Sequence, residues 1–135
     1  MINSGTTPVP PFRTVHTATA TTCADVRQHV TAAAGRAGLD ADQAARFTLA
    51  VNEVMINAVQ HGGGSAAVTI TSADHRVTVE VSDHGPGIRV PVTVQLPPVD
   101  ALHGRGLWLV RQLCQDVTFT SSDAGLSVRL SAISG

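Results

Sequence analysis

Three consecutive glycines, Gly62-Gly63-Gly64, separate two kinds of periodicity, and no other feature restricts the fold of this chain as much. Before them, Phe47, Ala50, Val51, Val54 and Ala58 recur at i, i+3, i+4, i+7 and i+11, the stripe of a helix that faces a core. After them, Val68 and Ile70, then Val77, Val79 and Val81, alternate with Thr, Ser, Arg and Glu on either side of Ala73-Asp74-His75. That is the period-two pattern of a β-hairpin. A helix apolar along one stripe and a hairpin apolar on one face bury each other as two stacked layers.

The other segments extend this plan. Met1 to Pro11 has neither a cationic start nor an apolar run and reads as a polar tail rather than a signal peptide. Phe12 to Thr19 alternates loosely, as a first strand. Thr22 precedes a first helix, Cys23 to Ala37, in which Val26, Val30 and Ala33 or Ala34 fall at helical spacing before Gly38 ends the run. Asp40 and Gln43 form a capping-box variant that opens the second helix, which runs to about Gln60. Ile88 to His103 contains Pro91, Pro97 and Pro98 with little periodicity, and a loop of that length inside a compact domain is usually functional. Gly106 to Gln115 returns to a helical stripe through Leu107, Val110 and Leu113 or Cys114. Val117 to Ser121 and Leu126 to Ala132 are two last strands around the turn Asp123-Ala124-Gly125. The expectation is a flexible tail over residues 1–11 and one domain over residues 12–135. Its fold class is an α+β two-layer sandwich, with a mixed, mostly antiparallel sheet covered on one face by helices.

Composition excludes several functions. With 135 residues, 43% of them apolar, the chain suits one core without staples. All nine cationic residues are Arg, spread from Arg13 to Arg129 in a chain of net charge -1, so there is no basic stripe for nucleic acid. The absence of Lys excludes a Walker A lysine. No run approaches the roughly 18 to 20 apolar residues of a membrane span. Cys23 and Cys114 lack a Cys-x-x-Cys or Cys/His pattern and read as reduced structural thiols of a cytoplasmic protein. His16, His29, His75, His84 and His103 have no metal spacing with one another or with the cysteines.

Three segments carry chemistry. Glu53, Asn57 and His61 lie four apart on one side of the second helix, at the margin of its apolar stripe, where a polar group can line a cleft. A Glu there can serve as a base toward a hydroxyl, and an Asn oxygen is a hard ligand suited to Mg²⁺. Asp83 ends a strand directly before His84-Gly85-Pro86-Gly87. An ionised carboxylate only accepts hydrogen bonds, which suits it to the exocyclic amino group of adenine and not to the carbonyl of guanine. Gly104-Arg105-Gly106-Leu107 opens the third helix, where unpaired N–H groups and the positive dipole end favour phosphate. Arg105 either adds charge to phosphate or is solvated.

In this order the three segments resemble the Bergerat-fold (GHKL) ATP-binding domain shared by DNA gyrase, sensor histidine kinases and MutL, over roughly Cys23 to Leu130. Within that group a chain this short is most similar to the stand-alone anti-sigma-factor serine/threonine kinases. The resemblance implies ATP and Mg²⁺ as cofactors, Glu53 as catalytic base and Asn57 on the metal. It further implies Asp83, Gly85 and Gly87 at adenine, Gly104, Arg105, Gly106 and Leu107 at the phosphates, His61 in a structural place, and a lid between Ile88 and His103. The partners implied are a sigma factor and a phosphorylated anti-anti-sigma protein, in a homodimer, without nucleic acid or membrane. An ATP-binding module that sequesters a regulator without chemistry is the alternative. One departure favours it: the family commonly has Gly-Thr before the last strand, and here Gly125-Leu126-Ser127 lacks that hydroxyl, so affinity is lower or Ser127 or Thr69 substitutes.

Overall fold

The computed structural model describes residues 11–61, 63–83, 110–114, 116–122 and 125–134. Along the chain run β1 (Phe12–Thr19), α1 (Cys23–Arg36), α2 (Ala41–His61), β2 (Ser65–Ala73), β3 (Arg76–Asp83), β4 (Asp116–Ser122) and β5 (Gly125–Ile133). Residues 110–113, within the expected third helix, are helical. The rest of that helix's start and the loop from Ile88 to His103 lie outside the described residues.

Local chemistry explains the ends of the two long helices. At the close of α1 the Leu39 N–H donates to the Ala34 carbonyl and the Gly38 N–H to the Gly35 carbonyl, at 3.1 and 3.0 Å. This crossed pair satisfies carbonyls a helix end would leave open, and it requires the positive φ of 95° that Gly38 takes without strain. Leu39 and Ala34, both buried, supply the apolar contact that accompanies it. At the start of α2, Asp40 Oδ1 accepts from the Gln43 N–H at 2.8 Å while Gln43 Oε1 accepts from the Asp40 N–H at 3.1 Å. The capping box expected from sequence is therefore formed at both ends. Thr22 behaves differently, because its hydroxyl donates to the Thr17 carbonyl at 2.8 Å and makes no cap on α1.

Asp74 and His75 make the two-residue turn of the β2–β3 hairpin with φ of 54° and 63°. Positive φ at both positions gives the turn whose twist matches the strands, and it sets the register through Ala73 opposite Arg76. The sheet order is β1-β2-β3-β5-β4, and all four pairings among the described residues are antiparallel. The expected sheet thus has no parallel pairing among those residues. Thr69, Thr78, Ser82 and Ser127 point away from the helices, with Thr78 bonded to Ser131 and Ser82 to Ser127 across strands at 2.9 and 3.0 Å.

The core lies between the helices and the other face. Phe47, Val51 and Met55 of α2 and Val30 of α1 meet Val68, Ile70, Val77, Val79, Val81 and Leu130 of the sheet, all essentially without solvent contact. Each such side chain contributes about 1.5 to 3 kcal/mol relative to exposure. Cys23 and Cys114 are free and buried, and burial raises both thiols above their ordinary pKa, which keeps them in the unreactive form. Among the described residues no helix is long and apolar enough to cross a membrane, and no three His, Cys, Asp or Glu side chains cluster as a metal site.

Candidate functional site

The topology collects one end of four elements. α2 ends at His61 and the chain re-enters the sheet at Ser65, so the last turns of the helix lie at the start of β2. Ala66 of β2 pairs with Asp83, the last residue of β3, and the β3–β5 ladder closes beside it at Ser82 opposite Ser127. The C-terminal half of α2, the end of β3 and the beginning of β5 therefore share one end of the molecule.

Alternation along β3 decides where Asp83 points. Val77, Val79 and Val81 are buried under the helices, and Asp83 continues that series at only 6% exposure. A carboxylate placed in an apolar layer must find donors, because leaving it unpaired costs several kcal/mol (roughly 1 to 3 or more). Among the described residues the Leu126 backbone N–H donates to Asp83 Oδ1, at a long 3.4 Å. Gly125 lies against the same residue: a Cβ there would stand 2.6 Å from Asp83 Oδ1 and would overlap the Asp83 carbonyl oxygen.

Glu53 and Asn57 follow each other by one turn on α2, and both are half-buried. Asn57 Nδ2 is fully buried and has no hydrogen-bond partner among the described residues. Buried amides are ordinarily paired, so an orphaned one asks for a partner beyond the described residues. The two ion pairs among the described residues, Arg46 with Asp42 and Arg76 with Asp116, do not include Glu53. Next to Glu53, Asn52 Oδ1 accepts from Arg27 Nη1 at 2.9 Å and ties this turn of α2 to α1.

Of the residues expected at the site, Glu53, Asn57 and Asp83 are thus described, with His61 as the last residue of α2. Gly85, Gly87, Gly104, Arg105, Gly106 and Leu107 lie outside the described residues. The two hydroxyls suggested as substitutes for the absent Thr are displaced from this layer. Ser127 Oγ bonds Ser82 and, at 3.3 Å, Glu80 Oε2, while Thr69 stands opposite Glu80 in the β2–β3 register. Both therefore occupy the sheet face opposite to Asp83, because strand parity separates them from it. Sequence reasoning missed the Leu126 amide and the tight approach of Gly125, whose only signal was a glycine at a strand start.

A cavity of about 250 Å³ lies elsewhere, lined by Leu39, Phe47, Arg76, Cys114 and Ile133 among others. Arg76 begins β3 and Ile133 ends β5, so this cavity is at the other end of the sheet from Asp83. Its arginines Arg46 and Arg76 are each paired with an aspartate.

An antiparallel sheet under two helices, with a buried Asp closing the third strand, defines a two-layer α+β domain in its general class. The family model of the histidine kinase-like ATPase domain matches residues 16–132, most of the chain. The chain belongs to that family, a GHKL ATPase domain whose ligand is ATP. A solved structure with a similar fold, "The crystal structure of the RsbU and RsbW domains of Rv1364c from Mycobacterium tuberculosis", aligns with a TM-score of 0.64 and 22% identity over 94% of this chain. The chain spans 34% of that structure's length, so the likeness concerns the fold of the shared part. No curated protein matches the chain.

Proposed function

We propose that this domain is a protein serine/threonine kinase of the anti-sigma-factor type, using ATP with Mg²⁺. The observation that carries the proposal is the buried, unpartnered amide of Asn57 on the helix facing the layer that holds Asp83. A nucleotide fits this pair of groups, since its phosphate oxygens offer an acceptor to the buried Asn57 N–H and its base an amino donor to Asp83. Asn57 would hold the metal through its side-chain oxygen, a hard ligand. Asp83 would accept a hydrogen bond from the adenine amino group and reject guanine, whose carbonyl would leave a buried acceptor facing an acceptor, at a cost of roughly 1 to 3 kcal/mol.

When bound, ATP would supply the transferable phosphoryl group and Mg²⁺ would offset its charge. Glu53, outside the ion pairs among the described residues and one turn before Asn57, would take the proton of the acceptor hydroxyl as that oxygen bonds to the γ-phosphorus and the bond from it to the β–γ bridging oxygen breaks, with ADP leaving. Gly85 and Gly87 would approach the base, and Gly104, Arg105, Gly106 and Leu107 would offer N–H groups and charge to the phosphates. The partners in this reading are a sigma factor and an anti-anti-sigma protein in the cytoplasm, with the domain acting as a homodimer.

Leu126 favours a second reading, in which the domain binds ATP and sequesters a regulator without transfer. Its side chain packs partly buried against the core and brings no hydroxyl to the Asp83 layer. Incubation with γ-labelled ATP, Mg²⁺ and candidate anti-anti-sigma proteins separates the two. Label on a serine or threonine of the partner, lost in Glu53→Ala, supports the kinase. ATP binding with no label on any partner supports the sequestering module.

A further inference from the structure

The geometry points to the Gly125-Leu126 peptide as a backbone clamp that positions Asp83, with Gly125 the residue that permits it. This rests on the reading of Asp83 as the adenine acceptor and adds the residues that hold its carboxylate in place.

Three observations converge on the clamp. First, the β3–β5 ladder ends at Ser82 opposite Ser127, and the next N–H on β5 is that of Leu126. It donates to Oδ1 of the Asp83 side chain at 3.4 Å. Second, Gly125 has a φ of 129°, a conformation that a side chain rarely adopts. Third, the space a Cβ would need is filled by Asp83 itself, by its carbonyl oxygen and by Oδ1 at 2.6 Å. Any other residue at position 125 must push Asp83 or the start of β5 away.

The functional consequence concerns one oxygen. With Oδ1 facing the Leu126 N–H and packed against Gly125, these contacts favour one rotamer of Asp83 and leave Oδ2 outside that bond. A carboxylate free to rotate would lose part of its selectivity for a donor on the ligand, since orientation sets the value of a buried hydrogen bond. Gly125 is therefore a positioning residue, acting through Asp83 and not by touching the base.

The test compares ATP with purine riboside triphosphate, which carries hydrogen in place of the amino group, by calorimetry on the wild-type chain and on Gly125→Ala. The wild type should prefer ATP by about tenfold, the value of one hydrogen bond to a charged group. In Gly125→Ala the affinity for ATP should fall and the preference should shrink to less than threefold. Equal losses for both nucleotides, with the preference kept, would reduce Gly125 to a structural glycine and overturn the clamp. A second measurement does not depend on that variant folding. Amide hydrogen exchange at Leu126 should be at least tenfold faster in Asp83→Ala than in the wild type, while Val128 keeps its rate. An unchanged Leu126 rate overturns the clamp as well. If the wild type binds neither nucleotide, the ATP reading of Asp83 fails, and the exchange result alone then judges the clamp.

Discussion

Arg27 donates through Nη1 to the Oδ1 of Asn52 at 2.9 Å, joining α1 to α2 at the residue before Glu53. One turn away Thr31 and Thr48 make a parallel contact at 2.9 Å, so the two helices are laced along the seam that faces away from the sheet. The helices already share buried alanines and valines, which allow sliding; the polar rungs fix the register.

The first prediction follows from that seam. Arg27→Met keeps most of the stem and removes the donor, leaving a half-buried Asn52 oxygen to be met by water. Stability should fall by about 1 kcal/mol, and a double-mutant cycle with Asn52→Ala should return a coupling of about 0.5 to 1.5 kcal/mol. Urea denaturation gives both numbers. A coupling near zero would mean that core packing alone sets the helix register.

Asn57 should show a conflict between stability and function. Its Nδ2 is buried without a partner among the described residues, and a buried donor left unpaired is costly. Asn57→Leu should therefore leave the unliganded protein as stable or raise stability by about 1 kcal/mol, while Mg²⁺-dependent ATP affinity falls at least tenfold. Glu53→Ala should differ: ATP affinity stays within a small factor and transfer drops by about 10² to 10⁴. Thermal melts with and without Mg²⁺ATP, together with labelled phosphate transfer, check the pair. A large loss of unliganded stability in Asn57→Leu would show that the amide is satisfied by the chain.

What the sequence made legible was local. The capping box of Asp40 and Gln43 and the turn at Asp74 and His75 involve neighbours in the chain, and both formed as their residue types dictate. Placement of the last hairpin was not legible, because either strand of it satisfies a period of two. The structure puts β5 inside and β4 at the edge, and burial explains it: Val128 and Leu130 are buried, whereas Val117 and Phe119 only pack partly against the core. The Arg27–Asn52 bond spans 25 positions between residues of no special pattern, so nothing short of the fold could pair them. Of the two alternatives the sequence leaves for the absent hydroxyl, parity alone weighs against substitution by Ser127, since it sets Ser127 on the face opposite Leu126, Val128 and Leu130.

His16 and His29 stack across β1 and α1 with ring centroids 4.5 Å apart, and His16 Nε2 lies 2.9 Å from Thr14 Oγ1. Burial, and secondarily the neighbouring His29, hold His16 below its ordinary pKa. The folded state then binds fewer protons than the unfolded one, so stability is full above the unfolded value near 6.5 and is lost as pH falls toward the lowered one. The melting temperature should decline between pH 7.5 and pH 5.5, and His29→Gln should decline less, because the charge neighbour is gone while the burial remains. Identical slopes for both proteins would remove His29 from the account.

Leu126→Thr tests what the missing hydroxyl does to the nucleotide site. Position 126 lies on the helix-facing side of β5, the side of Val128 and Leu130, and its own N–H holds Asp83. A Thr there keeps the backbone bond and suits a strand, so the clamp on Asp83 should survive. The cost is packing: Leu126 is partly buried against the core, and exchanging it for a smaller polar side chain should destabilise by about 1 to 2 kcal/mol. The gain is a donor and acceptor in the same layer as Asp83. Affinity for ATP should rise by about fivefold to tenfold, the value of one added hydrogen bond. Calorimetry at a temperature well below both melts isolates the affinity from the stability change. If affinity is unchanged while stability falls as expected, the layer around Asp83 does not contact the base. The departure at Leu126 would then have no bearing on whether this chain transfers phosphate or only binds it.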